Sequence, residues 1–297
     1  MADLGFDGKV AIVTGAGGGL GRSHVLELAR RGALVVVNDL GGSVDGTGSS
    51  TTAAQAVVDE VKAAGGEAVA NYDSVATPEG GRAIVQTALD TYGRIDIIVN
   101  NAGILRDASF KNMDADKVGP VLDVHLKGAF NVTQPAWEHM RNQGYGRIVN
   151  TSSGAGIFGN FGQTNYGAAK MGLVGLTRVL AVEGAKYNIK VNAIAPLART
   201  RMTEDILGPV AEKVSPEQIT PVVTYLVHED VPVTGEIYSV GGGRVARVFI
   251  GLTPGIVDPG LTAEAVRDRF AEIRDESGYE VPGELNDELR IVIKALG

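Results

Sequence analysis

Short apolar segments alternate with longer amphipathic segments along most of the chain. The apolar segments, such as VAIV, LVVV and IIV, are almost continuously hydrophobic, which is typical of parallel strands that are covered on both faces. The pattern predicts seven strands, at residues 9–14, 33–38, 67–72, 95–100, 146–151, 189–195 and 235–240. Because most gaps between them are long enough for a crossover helix, we expect an α/β fold of the Rossmann type, with a doubly wound, seven-stranded parallel sheet.

Residues 1–243 are predicted to form a single domain, because they contain no internal repeat, low-complexity tract or Pro-rich linker. Residues 244–297 form a C-terminal extension. It contains a loop with several Gly and Pro residues (251–260) and a predicted helix that opens at Thr262 and runs through AEAVRDRFAEIRDE. The sequence leaves open whether this extension covers a substrate cleft, contributes to a dimer or marks the junction to a further domain.

Composition narrows the class of partner. The net charge of −8 disfavours a general affinity for nucleic acid, and the apolar segments are far too short to cross a bilayer. The 297 residues include no cysteine, which excludes disulfides, thiolate metal sites and cysteine nucleophiles and fits a reducing compartment. We therefore expect a cytoplasmic protein that binds a small molecule, with no nucleic-acid, membrane or metal partner.

A glycine-rich turn follows the first predicted strand. Residues 14–21 read TGAGGGLG and open a helix, so Gly15, Gly19 and Gly21 stand at a strand-to-helix turn. Amide groups at a helix N-terminus carry partial positive charge, and residues without a Cβ let a pyrophosphate approach the backbone closely. The turn predicts a dinucleotide site, although a chain with 41 glycines can also form a tight turn that binds nothing.

The second predicted strand ends in VVVND, which places Asp39 eighteen residues after Gly21. A carboxylate there can accept hydrogen bonds from an adenosine ribose and would repel a 2′-phosphate, and the next residue is Leu40 rather than a cation. Asp39 therefore favours NAD over NADP, the alternative being a simple turn residue at a strand end. The Gly- and Ser-rich stretch that follows, residues 41–50, favours a mobile surface insertion over a specific adenosine clamp.

Three further side chains form a candidate catalytic group. Tyr166 and Lys170 are four residues apart in TNYGAAKMGLVGLTRVL, so on a helix they share one face, although such a pair also arises by chance on solvated helices. Ser153 lies thirteen residues before Tyr166 at the end of the strand VNTSS, and the motif NNAG occupies residues 100–103. These groups lie at the carboxyl ends of strands, where open α/β sheets bind ligands.

The order of the motifs TGxxxGxG, NNAG, SS, YxxxK and VNxIxP, over about residues 8–243, resembles the short-chain dehydrogenase/reductase family. More narrowly, NDLGG, ANYDSV, NNAGILRD, AWEHM, YGRI and GNFGQTNY resemble the (3R)-hydroxyacyl-CoA dehydrogenase part of the peroxisomal multifunctional enzyme of β-oxidation and its bacterial stand-alone relatives. The resemblance implies oxidation of a (3R)-3-hydroxyacyl-CoA to the 3-ketoacyl-CoA with NAD. A 17β-hydroxysteroid is the alternative substrate. A cofactor-binding scaffold without turnover is disfavoured by the intact Ser153, Tyr166 and Lys170.

The functional residues of the family carry over by position. The resemblance implies a cofactor site made of Gly15, Gly19, Leu20, Gly21, Asp39, Asp73, Asn101, Gly103, Tyr166, Lys170 and Thr200. It implies that Ser153 holds the substrate oxygen and that Tyr166 accepts the proton of the alcohol. A free phenol has a pKa of about 10, so the Lys170 ammonium is expected to stabilise the phenolate. A homodimer or homotetramer is implied by analogy alone.

Some positions depart from the family pattern. His125 stands where many members have an Asn that supports a proton-relay water chain. It is a fourth catalytic candidate that either supports the relay or bonds a backbone carbonyl, unless it is simply a buried helix histidine. Leu197 replaces a Gly in IAPLART, and the segment 202–218 is short for a substrate lid, which predicts an open cleft. Arg199 and Arg201 either contact CoA phosphates there or are solvated.

Overall fold

The computed structural model describes residues 3–200 and 212–296. The chain separates into two compact units, residues 1–247 and residues 248–297. The larger unit holds a single sheet with its crossover helices, and the smaller unit corresponds to most of the predicted extension.

The sheet has a strand at each of the seven predicted positions, and one more. The strands are β1 (Val10–Thr14), β2 (Leu34–Asn38), β3 (Glu67–Asn71), β4 (Ile97–Asn100), β5 (Gly146–Thr151), β6 (Ile189–Leu197), β7 (Ile237–Gly241) and β8 (Arg244–Val248). They lie in the order β3-β2-β1-β4-β5-β6-β7-β8, and all pairs from β3 to β7 are parallel. The predicted doubly wound α/β fold is confirmed.

The eighth strand changes the predicted strand count. From the sequence, residues 244–248 belong to the extension, whereas in the structure they form an edge strand of the sheet. Gly242 and Gly243 have positive φ angles, of 58° and 78°, and form the turn after β7. A two-residue turn can join only antiparallel strands, so β8 runs against the rest of the sheet. Arg244 and Arg247 are exposed, and this charged segment lacks the apolar run that identifies the other strands.

Helices fill the connections between the parallel strands. They are α1 (Gly19–Arg30), α2 (Thr52–Ala63), α3 (Pro78–Tyr92), α4 (Ala115–Leu122), α5 (Gly128–Gln143), α6 (Gly154–Phe158), α7 (Thr164–Gly184) and α8 (Thr220–Leu226). A π-helical turn, Asp123–Lys127, connects α4 to α5. Of the helices within the described ranges, none is long and apolar enough to cross a membrane.

Each face of the sheet has its own apolar core, because successive side chains of a strand point to opposite faces. On one face, Ala11 and Val13 pack in a cluster with residues of α1, α2 and α8. On the other face, Val10 and Ile12 pack with residues of α3 and α5. All four side chains are fully buried. The two covered faces explain why the strands have almost continuous apolar sequences.

The order of the strands reverses beside β1. The chain winds outward from β1 to β3 and then returns to β4 on the other side of β1. A crevice opens at the carboxyl ends of the strands at such a point. The segments that follow β1 and β4 meet there, because Asn101 donates from its backbone N to Thr14 Oγ1 at 3.0 Å and from Nδ2 to Gly15 O at 3.0 Å.

The smaller unit contains α9 (Ala263–Asp268), α10 (Phe270–Ile273) and α11 (Leu285–Leu296). The helix predicted from Thr262 begins as expected, since the Thr262 hydroxyl accepts a hydrogen bond from Ala265 N at 3.1 Å. It is interrupted after Asp268 and gives two short helices rather than one. The rings of Phe249 and Tyr279 stack with their centres 5.6 Å apart.

Candidate active site

A groove with a volume of about 240 Å³ lies at the carboxyl ends of the strands. Most of the predicted site residues line it, namely Gly15, Gly19, Leu20, Asp39, Asp73, Asn101, Gly103, His125, Tyr166, Lys170 and Thr200. Gly21 and Ser153 are the predicted residues that do not line it. Gly21 packs behind the glycine-rich turn, and Ser153 follows Ser152, which does line the groove. The fold thus gathers residues that are up to 185 positions apart, from Gly15 to Thr200.

The glycine-rich turn has the geometry that a pyrophosphate site requires. Gly15 and Gly19 have φ angles of 61° and 50°, in the left-handed region that side chains disfavour. A Cβ on Gly21 would lie 2.3 Å from Gly15 O, so this position has no room for a side chain. Helix α1 begins at Gly19, and its first backbone N–H groups have no partner within the helix. Sterics and the helix N-terminus together form a cradle for an anion.

Asp39 closes the other side of this turn. Its carboxylate accepts hydrogen bonds from Gly17 N at 2.8 Å and from Gly41 N at 2.7 Å. A carboxylate has about four acceptor positions, so two remain for the hydroxyls of a ribose. Asp39 therefore stabilises the turn and can still accept hydrogen bonds from an adenosine ribose, as predicted from the sequence.

Amide side chains hold the neighbouring strand ends together. Asp73, which follows β3, accepts from Asn71 Nδ2 at 2.8 Å through its carboxylate and from Asn38 Nδ2 at 2.9 Å through its carbonyl. Asn101 Nδ2 donates to Gly15 O at 3.0 Å. Asp73 is thus fixed on the wall of the groove, while Asn101 supports the glycine-rich turn.

Ser153, Tyr166 and Lys170 are brought together by β5 and α7. The Ser153 hydroxyl caps α6 by accepting from Ala155 N at 3.1 Å. Tyr166 and Lys170 occupy the start of α7, four residues apart on one face. The ammonium of Lys170 is buried, donates to Thr151 O at 2.5 Å and lies 5.5 Å from the centre of the Tyr166 ring.

The electrostatics of this group differ from the expectation. Burial raises the pKa of Tyr166, against the lowering effect of a hydrogen bond with Ser153, and the nearby Asp107 raises it further. Burial also lowers the pKa of Lys170 to about 7. The pKa of Tyr166 is therefore not lowered by Lys170 as expected, because desolvation dominates for both groups and the ammonium is directed at the Thr151 carbonyl.

His125 lies in the π-helical turn beside Tyr166. Its Nε2 is 3.0 Å from Ile104 N and 2.8 Å from Ile104 O, and its ring meets the Tyr166 ring edge to face at 5.1 Å. Burial holds the pKa of His125 well below its usual value, and the charge of Lys170 lowers it further, so the ring is neutral at physiological pH. A Cβ on Gly103 would lie 2.4 Å from this ring. The predicted alternatives for His125 were a water relay, a bond to the backbone and simple burial. These contacts support the bond to the backbone.

Thr200 lines the groove beside the glycine-rich turn. A Cβ on Gly19 would lie 3.5 Å from Thr200 Cγ2, so the loop after β6 faces the start of α1. Leu197 is exposed, and Arg199 N donates to Val214 O at 3.0 Å. Arg201 and most of the predicted lid segment lie outside the described residues.

The loop at residues 41–50, whose composition favours a mobile surface insertion, lies at the surface and also contacts the groove. Several of its residues line the groove, and Val44 O accepts from Leu105 N at 2.9 Å. Arg106 Nε donates to Asp45 O at 2.9 Å. These contacts come from a segment about sixty residues later in the sequence, which local composition cannot reveal.

Asn165 is a buried residue of the site that the sequence reasoning missed. Its Nδ2 donates to Arg106 O at 2.9 Å and to Lys117 O at 3.0 Å. Its Oδ1 accepts from Tyr166 N at 2.8 Å. An Asn in the first turn of a helix, directly before the candidate base, is the one sequence signal that could have identified it.

The family model for short chain dehydrogenases matches residues 9–208. The chain belongs to the short-chain dehydrogenase family. A Mycobacterium tuberculosis protein named as a short-chain type dehydrogenase/reductase is 53% identical over 281 residues, which cover 94% of this chain and 98% of that protein. The family resemblance found in the motifs is confirmed.

Longer enzymes contain a region similar to this short-chain dehydrogenase. A peroxisomal hydratase-dehydrogenase-epimerase of Saccharomyces cerevisiae is 51% identical over 278 residues, covering 92% of this chain and 31% of that enzyme. The full-length peroxisomal multifunctional enzyme type 2 of Drosophila melanogaster has a structure that matches with a TM-score of 0.82 and 40% identity, covering 99% of this chain and 50% of that one. The narrower resemblance is thus also confirmed, and the chain spans 31% of the first of these multifunctional relatives and 50% of the second.

The groove of this short-chain dehydrogenase fits a nicotinamide dinucleotide. The cradle at Gly15 and Gly19 suits a pyrophosphate, Asp39 has free acceptor positions for a ribose, and Tyr166 and Lys170 line the same groove. The protein is an oxidoreductase of a family that acts on secondary alcohols with such cofactors. In residues 3–200 and 212–296, no group of three or more His, Asp or Glu is placed to hold a metal ion.

Proposed function

We propose that the protein oxidises a (3R)-3-hydroxyacyl-CoA to the 3-ketoacyl-CoA with NAD, and that Tyr166 is the proton acceptor. The observation that carries this proposal is that Tyr166 and Lys170 line a groove whose other end has a glycine cradle and Asp39, and that the Ser153 side chain is hydrogen-bonded to Tyr166. One groove then holds both halves of an alcohol oxidation, which are the removal of the hydroxyl proton and the removal of the carbon-bound hydrogen as a hydride.

The residues divide the proton chemistry between them. The Ser153 hydroxyl donates to the oxygen of the substrate alcohol, and the Tyr166 oxygen accepts the proton of that alcohol as its carbonyl forms. The nicotinamide, when bound, would supply the acceptor for the hydride that leaves the carbon of the alcohol. Lys170 holds its ammonium against Thr151 O beside the Tyr166 ring, where its positive charge offsets part of the cost of burying the phenolate without bringing the pKa of Tyr166 below its usual value.

The raised pKa of Tyr166 determines how the rates of the two directions depend on pH. A protonated phenol can donate to the carbonyl oxygen of a ketone, whereas oxidation of the alcohol needs the phenolate. Because burial keeps the pKa of Tyr166 high, we expect oxidation to increase with pH. The chemistry is reversible, and the supply of substrate and cofactor sets its direction in the cell.

Asp39 supports the choice of NAD over NADP. Its carboxylate is fixed at the end of β2 by Gly17 N and Gly41 N, so it cannot swing away from the groove without losing these bonds. A 2′-phosphate on the adenosine ribose would meet this negative charge, and the neighbouring Leu40 offers no cation.

The acyl-CoA substrate is supported by the likeness to multifunctional enzymes with a dehydrogenase in their names. A panel of alcohols tests it, with (3R)-3-hydroxyacyl-CoA, its (3S) isomer and a 17β-hydroxysteroid compared at fixed NAD by NADH absorbance. We expect the (3R) isomer to give the highest kcat/KM. Faster steroid turnover would favour the hydroxysteroid alternative, and NADH production from none of them would contradict both.

A homodimer or homotetramer is the proposed assembly. Helices α5 and α7 leave large apolar side chains exposed, among them Phe130, Val179 and Val182, each about half exposed. Apolar side chains of this size on adjacent helices favour contact with a second copy. Light scattering of the purified protein tests the assembly, and a monomeric mass would contradict it.

The cytoplasm is the proposed compartment, because a chain without cysteine suits a reducing environment. The peroxisomal names belong to the longer relatives. Fractionation of the source cells with an antibody against the protein tests the assignment, and recovery with a membrane-bounded organelle would contradict it.

A further inference from the structure

Residues 41–50, here called the strap, cross the groove. The strap leaves the end of β2 after Asp39, and Val44 O then accepts from Leu105 N at 2.9 Å, beyond the end of β4. Because β1 lies between β2 and β4, the strap passes over the end of β1, where the glycine-rich turn lies. Two strand spacings amount to roughly 10 Å, which the strap bridges above the adenosine half of the groove.

The strap has a defined shape. The Asp45 carboxylate accepts hydrogen bonds from Thr47 N at 3.0 Å, from Thr47 Oγ1 at 2.8 Å and from the Ser43 hydroxyl. Gly46 packs on Ile104, since a Cβ at Gly46 would lie 3.0 Å from Ile104 Cδ1. The glycines of the strap therefore permit close packing against the segment that follows β4.

The Arg106 side chain connects the strap to the start of α4 by two hydrogen bonds, one to each. Arg106 Nε donates to Asp45 O at 2.9 Å, and Arg106 Nη1 donates to Asp116 O at 2.7 Å, at the start of α4. The backbone carbonyl of Arg106 accepts from Asn165 Nδ2 at 2.9 Å. One residue thus links the strap on one side to Asn165 on the other.

Asn165 completes the path to the catalytic tyrosine. Asn165 does not line the groove and is only 3% exposed. Its Oδ1 accepts a hydrogen bond from Tyr166 N at 2.8 Å. This N–H belongs to the first turn of α7, where it has no partner within the helix. A second hydrogen bond joins the same two segments, because Gln163 Nε2 donates to Asp107 Oδ2 at 2.7 Å. The segment that receives the strap is thus bonded to the start of the catalytic helix.

We propose that the strap, Arg106 and Asn165 form one linkage that couples binding of the cofactor adenosine to the position of Tyr166, with Asn165 as a positioning residue. The proposal rests on the proposed function in taking the groove as the cofactor site. When the strap packs on the adenosine, it restrains residues 104–106. Asn165, which is hydrogen-bonded to Arg106 O and to Tyr166 N, then restrains the backbone of Tyr166 as well. By linkage, a change at Asn165 must then alter cofactor affinity, although Asn165 does not touch the groove.

The experiment perturbs the linkage at its ends and at its middle. Asp45→Ala loosens the exposed strap, Arg106→Ala removes the middle link, and Asn165→Asp keeps the shape of the side chain but loses both Nδ2 donors. The dissociation constant of NADH, or of NADPH if the wild type binds it more tightly, is measured by fluorescence titration. We expect each variant to weaken binding about threefold to tenfold, and Asp45→Ala to lower kcat at saturating cofactor as well.

The double variant Asp45→Ala with Asn165→Asp measures the coupling. If the two residues act through one linkage, the double variant binds the cofactor no more weakly than the weaker-binding single variant. Effects that multiply would overturn the proposal, as would unchanged cofactor affinity in Asn165→Asp and Arg106→Ala. Asp90→Ala is the matched control, because Asp90 is an exposed carboxylate on α3 that accepts from Gln86 Nε2 at 2.7 Å, and its removal should change neither quantity.

Melting temperatures of the variants without cofactor separate coupling from damage to the fold. A merely structural Asn165 would lower the melting temperature and leave the affinity of the folded protein unchanged, which would contradict the proposal. If Asn165→Asp does not fold, Arg106→Ala provides the decisive measurement, because its side chain is only partly buried. Failure of the wild type to bind either cofactor would refute the proposed function, whereas normal wild-type binding with unaffected variants would refute the linkage alone.

Discussion

The two halves of the groove are built by different physical means. The nucleotide half, around β1 and β2, consists of backbone N–H groups, positive φ angles at Gly15 and Gly19, and the carboxylate of Asp39. The catalytic half, around β5 and α7, consists of side chains that burial has displaced from their usual pKa values, namely Tyr166 and Lys170. Steric constraints on the backbone therefore shape the nucleotide half, whereas desolvation sets the pKa values in the catalytic half.

This difference predicts which quantity each substitution changes. A change in the nucleotide half should alter cofactor affinity, because the same atoms bind the cofactor in the ground state and in the transition state. A change in the catalytic half should alter kcat, because proton transfer occurs only during the reaction. The proposed linkage through Asn165 would couple the two quantities, because it joins the nucleotide half to the catalytic half.

The largest expected effect is at Tyr166. Tyr166→Phe removes the proposed proton acceptor and should lower kcat by roughly 10²–10⁴-fold, since general acid–base catalysis contributes about that much. The dissociation constant of NADH should change by no more than about twofold, because the aromatic ring and its packing remain. Steady-state kinetics and fluorescence titration check the two quantities, and an unchanged kcat would remove Tyr166 from the mechanism.

Gly21→Ala should break the nucleotide half by sterics alone. The added Cβ would lie 2.3 Å from Gly15 O, and relieving a clash of this kind typically costs about 1–3 kcal/mol. We expect NADH binding to weaken by about tenfold or more, which titration of the folded variant measures. Gly119→Ala in α4 is the matched control, since a Cβ there meets nothing within 4 Å. Normal cofactor affinity in Gly21→Ala would show that the turn does not shape the site.

Asp39→Asn should change the choice between cofactors. Removing the negative charge relieves its repulsion of a 2′-phosphate, so the preference for NADH over NADPH should fall by about tenfold, equivalent to roughly 1.4 kcal/mol. The ratio of the two dissociation constants measures this effect. An unchanged ratio, with both cofactors still bound, would show that Asp39 does not set the preference.

The smallest expected effect concerns the pH profile of the catalytic half. Because burial raises the pKa of Tyr166, kcat/KM for alcohol oxidation should still be rising at about pH 9 rather than level near neutrality. The hydrogen bond with Ser153 lowers the pKa of Tyr166, so Ser153→Ala should shift the rise to higher pH in addition to slowing the reaction. A plateau by about pH 8, or a shift to lower pH in the variant, would contradict this electrostatic account.

The positions of the elements were largely predictable because local signals specify them. The seven apolar segments became β1 to β7 with ends displaced by at most two residues, since a buried parallel strand requires a continuous apolar run. Strand β8 was not predictable in this way, because it is an exposed edge with two arginines and depends on the Gly242–Gly243 turn. The predicted C-terminal helix began at Thr262 but broke after Asp268, which its amphipathic pattern does not reveal.

The sequence by itself determined the sheet, the glycine-rich turn and the pairing of Tyr166 with Lys170, because these depend on residue type and short spacing. Only the tertiary structure decided the environment of these groups. It placed the strap against residues 104–106, attached Asn165 to the same segment, and raised the pKa of Tyr166 where a lowered one was expected. Contacts between distant segments and the loss of solvent around a side chain are properties of the assembled fold, and no local pattern in the chain encodes them.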